Sequence, residues 1–164
     1  MERRLREENV TLNIIKWLVD NKWEIITFDY PKSGTGIMLH ANVENKTEKN
    51  KGGIIPDIIA VKGNCALFFE NKDRFYEPDF DKLNEIKMES NYSDSLDQLL
   101  KGHTIKNIVY GIAIADVEKE VEKSKLHLEK IDFLISTNEK KEIIIHYDVN
   151  GIFSKSKNSG NWCN

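Results

Sequence analysis

The first segment of the chain has the spacing of an amphipathic helix. Across residues 4–21 (RLREENVTLNIIKWLVDN), apolar side chains recur every three or four positions. Val10, Ile14 and Leu18 therefore lie on one stripe of a helix, and most charged residues lie outside it. The apolar repeat ends at the polar Asn21. The pattern predicts a helix over residues 4–21 that packs on the rest of the protein through this stripe.

Strand patterns dominate the next part of the chain. Residues 23–30 are rich in β-branched and aromatic side chains, residues 36–43 form a shorter apolar run, and residues 44–53 contain no apolar side chain. Two longer apolar runs, 54–61 and 65–72, are separated by Lys-Gly-Asn, a connection typical of a hairpin. We expect two early strands, a surface loop at 44–53 and then a β-hairpin.

The second half of the chain alternates between helix and strand patterns. Residues 78–101 are mostly helical or irregular, and residues 105–115 are nearly all apolar, which is typical of a central strand buried on both faces. A helix is predicted over 117–131, followed by strands at 132–137 and 142–149. This order predicts an α/β fold, a sandwich in which helices flank a mixed β-sheet.

Composition fits a single domain over residues 1–164. The chain is 40% apolar and 31% charged, and its length is sufficient to enclose one core. It has neither the apolar segment of a signal peptide nor a membrane-spanning stretch, so we expect a cytoplasmic protein without membrane contact. The formal net charge of −3 argues against a general nucleic-acid coat protein, whose affinity depends on many Lys and Arg residues.

Charged residues at the ends of the predicted hairpin strands are the candidates for chemistry. Asp57 begins the first strand, and Glu70 and Lys72 end the second on one face, because side chains alternate along a strand. Pairing of the strands brings Asp57 near Glu70, where both carboxylates, with the main-chain carbonyl of Asn71, can bind a hard cation such as Mg2+. Each residue alone could instead form a strand ion pair or a turn. Together they favour a metal site, since burying such charges is costly.

This arrangement resembles a known nuclease motif. Pro56 and Asp57, twelve intervening residues, and then Glu70 and Lys72 two positions apart resemble the signature of the PD-(D/E)xK nuclease superfamily, which includes restriction endonucleases and Holliday-junction resolvases. The surrounding elements, over residues 4–115, resemble the family in their order. The resemblance implies a restriction-endonuclease-like fold in which Asp57 and Glu70 bind Mg2+ and Lys72 lies beside the attacking water.

A glutamate on the first helix is a further candidate metal ligand. Many members of the superfamily carry a glutamate there that approaches the metal directly or through water, and this chain offers Glu7 and Glu8. The spacing to the Ile14-Ile15 pair resembles the family better for Glu8, whereas a helical wheel places Glu7 nearer the apolar stripe. Either could instead only complement the helix dipole. Glu8 is the expected ligand, and Glu7 is its alternative.

The segment at residues 31–36 (PKSGTG) is a candidate DNA contact. Its glycines resemble a phosphate-binding nest, although the Gly-Lys-Ser/Thr ending of a nucleotide P-loop is missing and a plain turn is an equal alternative. In the first reading, Lys32, Ser33 and Thr35 donate hydrogen bonds to the DNA backbone.

These features predict a Mg2+-dependent DNA endonuclease that hydrolyses phosphodiester bonds in double-stranded DNA. The first expectation is a type II restriction endonuclease, acting as a homodimer because two strands need two active sites. The other expectation is a cleavage or nicking subunit that takes its specificity from a larger partner subunit, and the acidic composition favours this case. The alternatives are a structure-specific repair or Holliday-junction-resolving nuclease, and a non-catalytic DNA-binding module with a nuclease-like core. The unbroken set of Asp57, Glu70 and Lys72 counts against the last.

Overall fold

The computed structural model of the protein describes residues 5–28, 56–89 and 100–153. These residues form a six-stranded sheet with helices on both faces. The strands are β1 (Glu24–Phe28), β2 (Ile58–Lys62), β3 (Cys65–Lys72), β4 (Asn107–Ala115), β5 (Phe133–Thr137) and β6 (Ile143–Asp148). The helices are α1 (Glu7–Asp20), α2 (Glu77–Glu89) and α3 (Glu118–Ser124), and a 3-10 helix (Lys125–Lys130) follows α3.

The strands lie in the sheet in the order in which they occur in the chain. β1, β2 and β3 pair antiparallel, β3, β4 and β5 pair parallel, and β6 returns antiparallel to β5. The predicted hairpin is confirmed, because Ile58 pairs with Phe69 and Lys62 with Cys65. Its turn contains Gly63 at φ 58°, a conformation that glycine adopts without steric cost. The mixed sheet confirms the predicted α/β class.

The two faces of the sheet carry separate apolar cores. On one face, α1 packs through Val10, Ile14 and Leu18, all fully buried, which confirms the predicted apolar stripe. On the other face, Phe80 and Leu83 of α2 pack with α3 against the sheet. Helices therefore cover both faces, as expected for a sheet whose central strands run parallel.

The predicted helix at 117–131 is wrong in one respect, because it is interrupted. At His127 the backbone leaves helical geometry, with φ −125° and ψ 23°. The imidazole ring stacks there on Phe75, with ring centroids 5.2 Å apart, and also contacts Phe80 at 5.7 Å. The non-helical geometry thus coincides with an aromatic contact to α2 that the periodicity of the sequence does not show.

Several predicted features lie outside the described residues. These are the strand at 36–43, the loop at 44–53 and the candidate DNA contacts Lys32, Ser33 and Thr35. In the part of the chain that the structure does describe, no helix combines the length and apolar character needed to cross a bilayer.

The carboxyl end of β3 is where the fold gathers its charged residues. Side chains alternate along β3, so Phe68 and Glu70 face α2, while Asn71 faces α1. The parallel partner β4 runs beside this end, with Lys72 in register with Ile114. Helices on both faces of the sheet can therefore contribute side chains to the carboxyl end of β3.

Candidate metal and catalytic site

Two carboxylates meet across the hairpin. The ladder between β2 and β3 ends at the pair of Ile58 and Phe69, and Asp57 and Glu70 are the next residues beyond it. Their carboxylates interact directly with each other. The main chain fixes Asp57 at both ends of the residue: its N–H donates to the Phe69 carbonyl at 3.0 Å, and its Oδ2 accepts the Asn71 N–H at 2.7 Å. The backbone of β3 thus holds the Asp57 carboxylate in place, which sequence spacing alone does not show.

Both carboxylates are costly to ionise where they stand. Burial raises the pKa of Asp57 to about 6, although the Asn71 N–H opposes this rise. Glu70 is only 2% exposed, and burial together with the negative charge of Asp57 raises its pKa well above the ordinary value. Like charges crowded in a low-dielectric site disfavour ionisation, whereas a bound divalent cation would favour it. The pair therefore has the electrostatics of a cation site.

Lys72 is the last residue of β3 and contacts both flanking helices. Its Nζ is 3.1 Å from Glu7 Oε1 on α1 and 3.9 Å from Asp79 Oδ2 on α2, and it lies 5.3 Å from the ring centroid of Tyr76. Burial lowers the pKa of Lys72, but the charges of Asp79, Glu7 and Asp57 outweigh this effect and raise it. Lys72 is thus held as an ammonium ion among carboxylates.

The first-helix glutamate that lies beside this cluster is Glu7, whereas Glu8, the expected ligand, lies outside it. Glu8 is the more exposed of the two, with 43% of its side chain accessible, and pairs with Arg6 at 3.9 Å. Glu7 pairs with Lys72 instead, and its charge contributes to the raised pKa of Asp57. The reason is helical geometry, because α1 begins at Glu7 and directs this residue along the apolar stripe toward the sheet.

A buried polar contact ties α1 to the end of β3. The Asn71 side chain is fully buried and its Nδ2 donates to Thr11 Oγ1 at 3.0 Å. Thr11 in turn donates to the Glu7 carbonyl at 3.2 Å, so the first turn of α1 is fixed relative to the strand. Asn71 therefore serves the site in two ways, holding Asp57 through its amide N–H and α1 through its side chain.

Two residues of α2, Asp79 and Lys82, complete the cluster and were not predicted. Lys82 Nζ lies 3.0 Å from Glu70 Oε1, and Asp79 is only 5% exposed. Burial raises the pKa of Asp79, and the positive charges of Lys72 and Lys82 oppose this rise. Residues three apart on a helix lie on one face, and that spacing in the segment DFDK was the available signal.

The oxygen atoms of the cluster are incompletely satisfied. Among the buried side-chain atoms of this cluster, Asp79 Oδ2 and Asn71 Oδ1 have no hydrogen-bond partner, while Glu70 Oε1 has the Lys82 ammonium group 3.0 Å away. Buried polar atoms without partners are rare in folded proteins and mark sites that bind a ligand or ion. The buried side-chain oxygens of this cluster can therefore bind a hard cation.

The donor set is small. Within residues 5–28, 56–89 and 100–153, no group of three or more His, Cys, Asp or Glu side chains is arranged to hold a metal ion. The candidate protein ligands are therefore Asp57 and Glu70, with the main-chain carbonyl of Asn71 as a predicted third. Such a set suits Mg2+, which retains several waters and is commonly bound through one or two carboxylates.

A scan of protein-family models finds no family that matches the chain, and searches of curated proteins and of solved structures give no significant match. The likeness to a nuclease motif therefore rests on the motif residues alone.

Proposed function

We propose that the protein is a Mg2+-dependent DNA endonuclease with a restriction-endonuclease-like fold. The observation that carries this proposal is the contact between the Asp57 and Glu70 carboxylates at the end of the hairpin. Both carboxylates have raised pKa values, and Lys72 lies at the same end of β3. A buried pair of like charges destabilises the protein unless a cation neutralises it.

The arrangement of the elements supports the proposed fold. An amphipathic helix comes first, an antiparallel hairpin carries the carboxylates, and parallel strands follow it in the sheet. The candidate residues all lie at one end of β3, where α1 and α2 both approach. A substrate phosphate could reach this end of the sheet from solvent, because Lys72 is 31% exposed.

Each residue of the site has a specific role in the proposed reaction. Asp57 and Glu70 hold Mg2+, which when bound polarises the scissile phosphate and lowers the pKa of a coordinated water. Lys72 orients the attacking water and stabilises the negative charge that develops on the phosphate. Glu7 and Asp79 position the Lys72 ammonium group, and Asn71 positions Asp57.

The decisive experiment compares cleavage by variants of the two carboxylates. Supercoiled plasmid is incubated with Mg2+ or with EDTA and the purified wild type, Asp57→Asn, Glu70→Gln, or Asp81→Asn as a control. Asp81 is an exposed carboxylate of α2 that pairs with Lys130. We expect metal-dependent cleavage by the wild type and Asp81→Asn, and a loss of at least about 10³-fold in both ligand variants, because several kcal/mol of charge stabilisation disappears.

Folding of each variant is checked by circular dichroism, so that loss of activity is not loss of structure. Wild-type cutting rates in Asp57→Asn, or cleavage that EDTA leaves unchanged, would show that the site is assigned wrongly. The alternative of a non-catalytic DNA-binding module predicts a gel shift in Ca2+ without cleavage in Mg2+, for the wild type as for the variants.

The assembly and the substrate are proposed on the same basis. A homodimer would place two active sites on the two strands of a duplex, whereas a cleavage subunit would nick DNA only beside a larger specificity subunit. The net charge of −3 weighs against the broad basic surface expected of a junction-resolving enzyme. Parallel assays on linear duplex and on a four-way junction separate a duplex-cutting enzyme from a resolvase, since a resolvase prefers the junction.

A further inference from the structure

The cation nearest Glu70 is Lys82 of α2, and not the lysine of the motif. Lys82 Nζ lies 3.0 Å from Glu70 Oε1, and its ammonium group also interacts electrostatically with Asp79 and Asp57. Lys72, by contrast, pairs with Glu7 and Asp79. The two lysines thus neutralise different carboxylates of one cluster, and the positive charge on the proposed metal ligand comes from Lys82.

The two ammonium groups are held to different degrees. Lys72 is placed between carboxylates from two helices and lies over the ring of Tyr76. Among the described residues, Lys82 pairs with one carboxylate, that of Glu70, and 29% of its side chain is exposed. A lysine has a flexible four-carbon stem, so this ammonium group can turn away to solvent without movement of the backbone.

We propose that the Lys82 ammonium group neutralises the Asp57–Glu70 pair in the metal-free protein. A divalent metal ion must then displace this ammonium group in order to bind the two carboxylates. This inference rests on the proposed function, since it assumes that Asp57 and Glu70 are metal ligands. Lys82 is then neither a ligand nor a catalytic residue. It keeps the buried carboxylates compatible with folding and at the same time weakens their affinity for metal.

Competition of this kind predicts opposite effects for two substitutions. Lys82→Met removes the competing charge and retains an apolar stem of similar length, so Mg2+ should bind at least about tenfold more tightly. Lys82→Arg keeps the charge and offers a planar fork that can hold a carboxylate with two hydrogen bonds, so Mg2+ should bind more weakly than in the wild type. A residue that merely supports Glu70 would give weaker binding in both variants.

Lys87 supplies the matched control. It lies on the same helix, pairs with the buried carboxylate of Asp132, and has 32% of its side chain exposed, close to the value for Lys82. Lys87→Met and Lys87→Arg therefore change a comparable ion pair away from the site. Mg2+ affinity should remain at the wild-type value in both, even where stability changes.

The measurement is calorimetric titration of Mg2+ into DNA-free protein, at a pH of about 8.5 to reduce competition by protons. Mg2+-induced shifts in melting temperature provide a second readout, because a ligand that binds only the folded state raises the melting temperature. If Lys82→Met does not fold, the comparison of wild type with Lys82→Arg still tests the order of affinities. We expect affinity to fall in the order Lys82→Met, wild type, Lys82→Arg.

The outcomes separate this inference from the proposed function. If the wild type binds Mg2+, Asp57→Asn does not, and Lys82→Met binds no more tightly than the wild type, Lys82 is not a competitor but the metal site stands. Unchanged affinity in Lys82→Arg, with Lys82→Met unfolded, rejects the competition as well. If the wild type and Asp57→Asn both fail to bind Mg2+, the proposed metal site is wrong, and the role of Lys82 falls with it.

Discussion

Helix α2 carries two lysines that pair with buried carboxylates, and the two pairs differ sharply. Lys87 pairs with Asp132, whose Oδ2 also accepts the Tyr110 N–H at 3.0 Å, so that both carboxylate oxygens have partners. Lys82 pairs with Glu70, whose carboxylate also faces the like charge of Asp57. The two lysine side chains are about equally exposed, at 32% and 29%, so burial of the lysine does not explain the difference.

The difference teaches how a structural ion pair can be told from a site. At Asp132 the backbone also participates: its N–H donates to the Tyr110 carbonyl at 2.7 Å, and its carbonyl accepts the Val149 N–H at 3.0 Å. Such a satisfied network fixes one conformation. At Glu70, the negative charges of Asp57 and Asp79 lie close by, and this repulsion destabilises the metal-free protein. Crowding that folding alone does not require is the physical sign of a binding site.

The largest effect that would sharpen this comparison is expected at Lys72. Lys72→Ala keeps Asp57 and Glu70, so Mg2+ and DNA should still bind, but cleavage should fall by a factor on the order of 10² to 10³, as when one preorganised charge stabiliser is removed. A Mg2+ titration of the cleavage rate, beside a gel shift in Ca2+, measures both properties.

Lys87→Ala is the control in the same assay and should cut DNA at the wild-type rate. Recovery of Lys72→Ala to near the wild-type rate at high Mg2+ would mean that Lys72 only neutralises charge. It would then resemble Lys87 more closely than the catalytic group proposed here.

A second test uses the pH dependence of stability without metal. The pKa of Asp57 is raised from 3.8 to about 6, so the folded state binds a proton that the unfolded state has lost between these values. Stability should therefore fall as the pH rises from about 4 to about 7, by up to about 3 kcal/mol. Asp57→Asn lacks this loss, so urea unfolding of both proteins in EDTA should show stability curves that run parallel below pH about 4, diverge between about 4 and about 6, and keep a constant separation above about 7.

Added Mg2+ should oppose the trend, because the metal binds the ionised carboxylates and its stabilisation grows with pH. Parallel curves for the wild type and Asp57→Asn across the whole range would contradict the raised pKa. The crowded cluster would then be no more costly than the Asp132 network.

A third test changes the two buried carboxylates into their amides. Asp132→Asn leaves Lys87 without a charged partner and weakens a satisfied network, so the free energy of unfolding should fall by about 1 to 2 kcal/mol. Glu70→Gln removes like-charge repulsion with Asp57, and the exposed end of Lys82 can turn to solvent, so metal-free stability should stay the same or rise. Urea unfolding at neutral pH in EDTA measures both. Equal losses in the two variants would remove the distinction between the pairs.

The sequence was sufficient for the parts of the site that depend on local pattern. The alternation of apolar side chains and the turn signal at 62–64 predicted the hairpin. The turn itself is one residue shorter than predicted, because Lys62 pairs with Cys65, and this register places Asp57 beside Glu70. Lys72 follows from the same period of two. The α/β class follows from the order of the elements, since helices between parallel strands must cover the sheet faces.

The parts that were missed depend on how helices pack on the sheet. Asp79 and Lys82 lie on one face of α2, but their sequence does not say that this face meets the end of β3. For α1, spacing relative to the nuclease family favoured Glu8, whereas the helical wheel favoured Glu7, which the structure places beside Lys72. The physical periodicity was the better guide, because a helix that begins at Glu7 directs residues 7, 11, 14 and 18 toward the sheet.

The smallest effect separates the two glutamates of α1. Glu7 Oε1 contacts Lys72 Nζ at 3.1 Å, so Glu7→Gln should leave the carboxylate pair intact but loosen the position of the ammonium group, lowering the cleavage rate about tenfold, as loss of a supporting contact does in metal sites. Glu8→Gln should leave the rate unchanged, because Glu8 pairs with Arg6 away from the cluster. Single-turnover cleavage at saturating Mg2+ measures this, and a parallel Mg2+ titration tests whether affinity changes. A tenfold loss in Glu8→Gln with full activity in Glu7→Gln would restore Glu8 as the first-helix residue of the site. A loss of Mg2+ affinity in Glu7→Gln would instead make Glu7 a metal ligand, since a residue that only positions Lys72 acts on the rate alone.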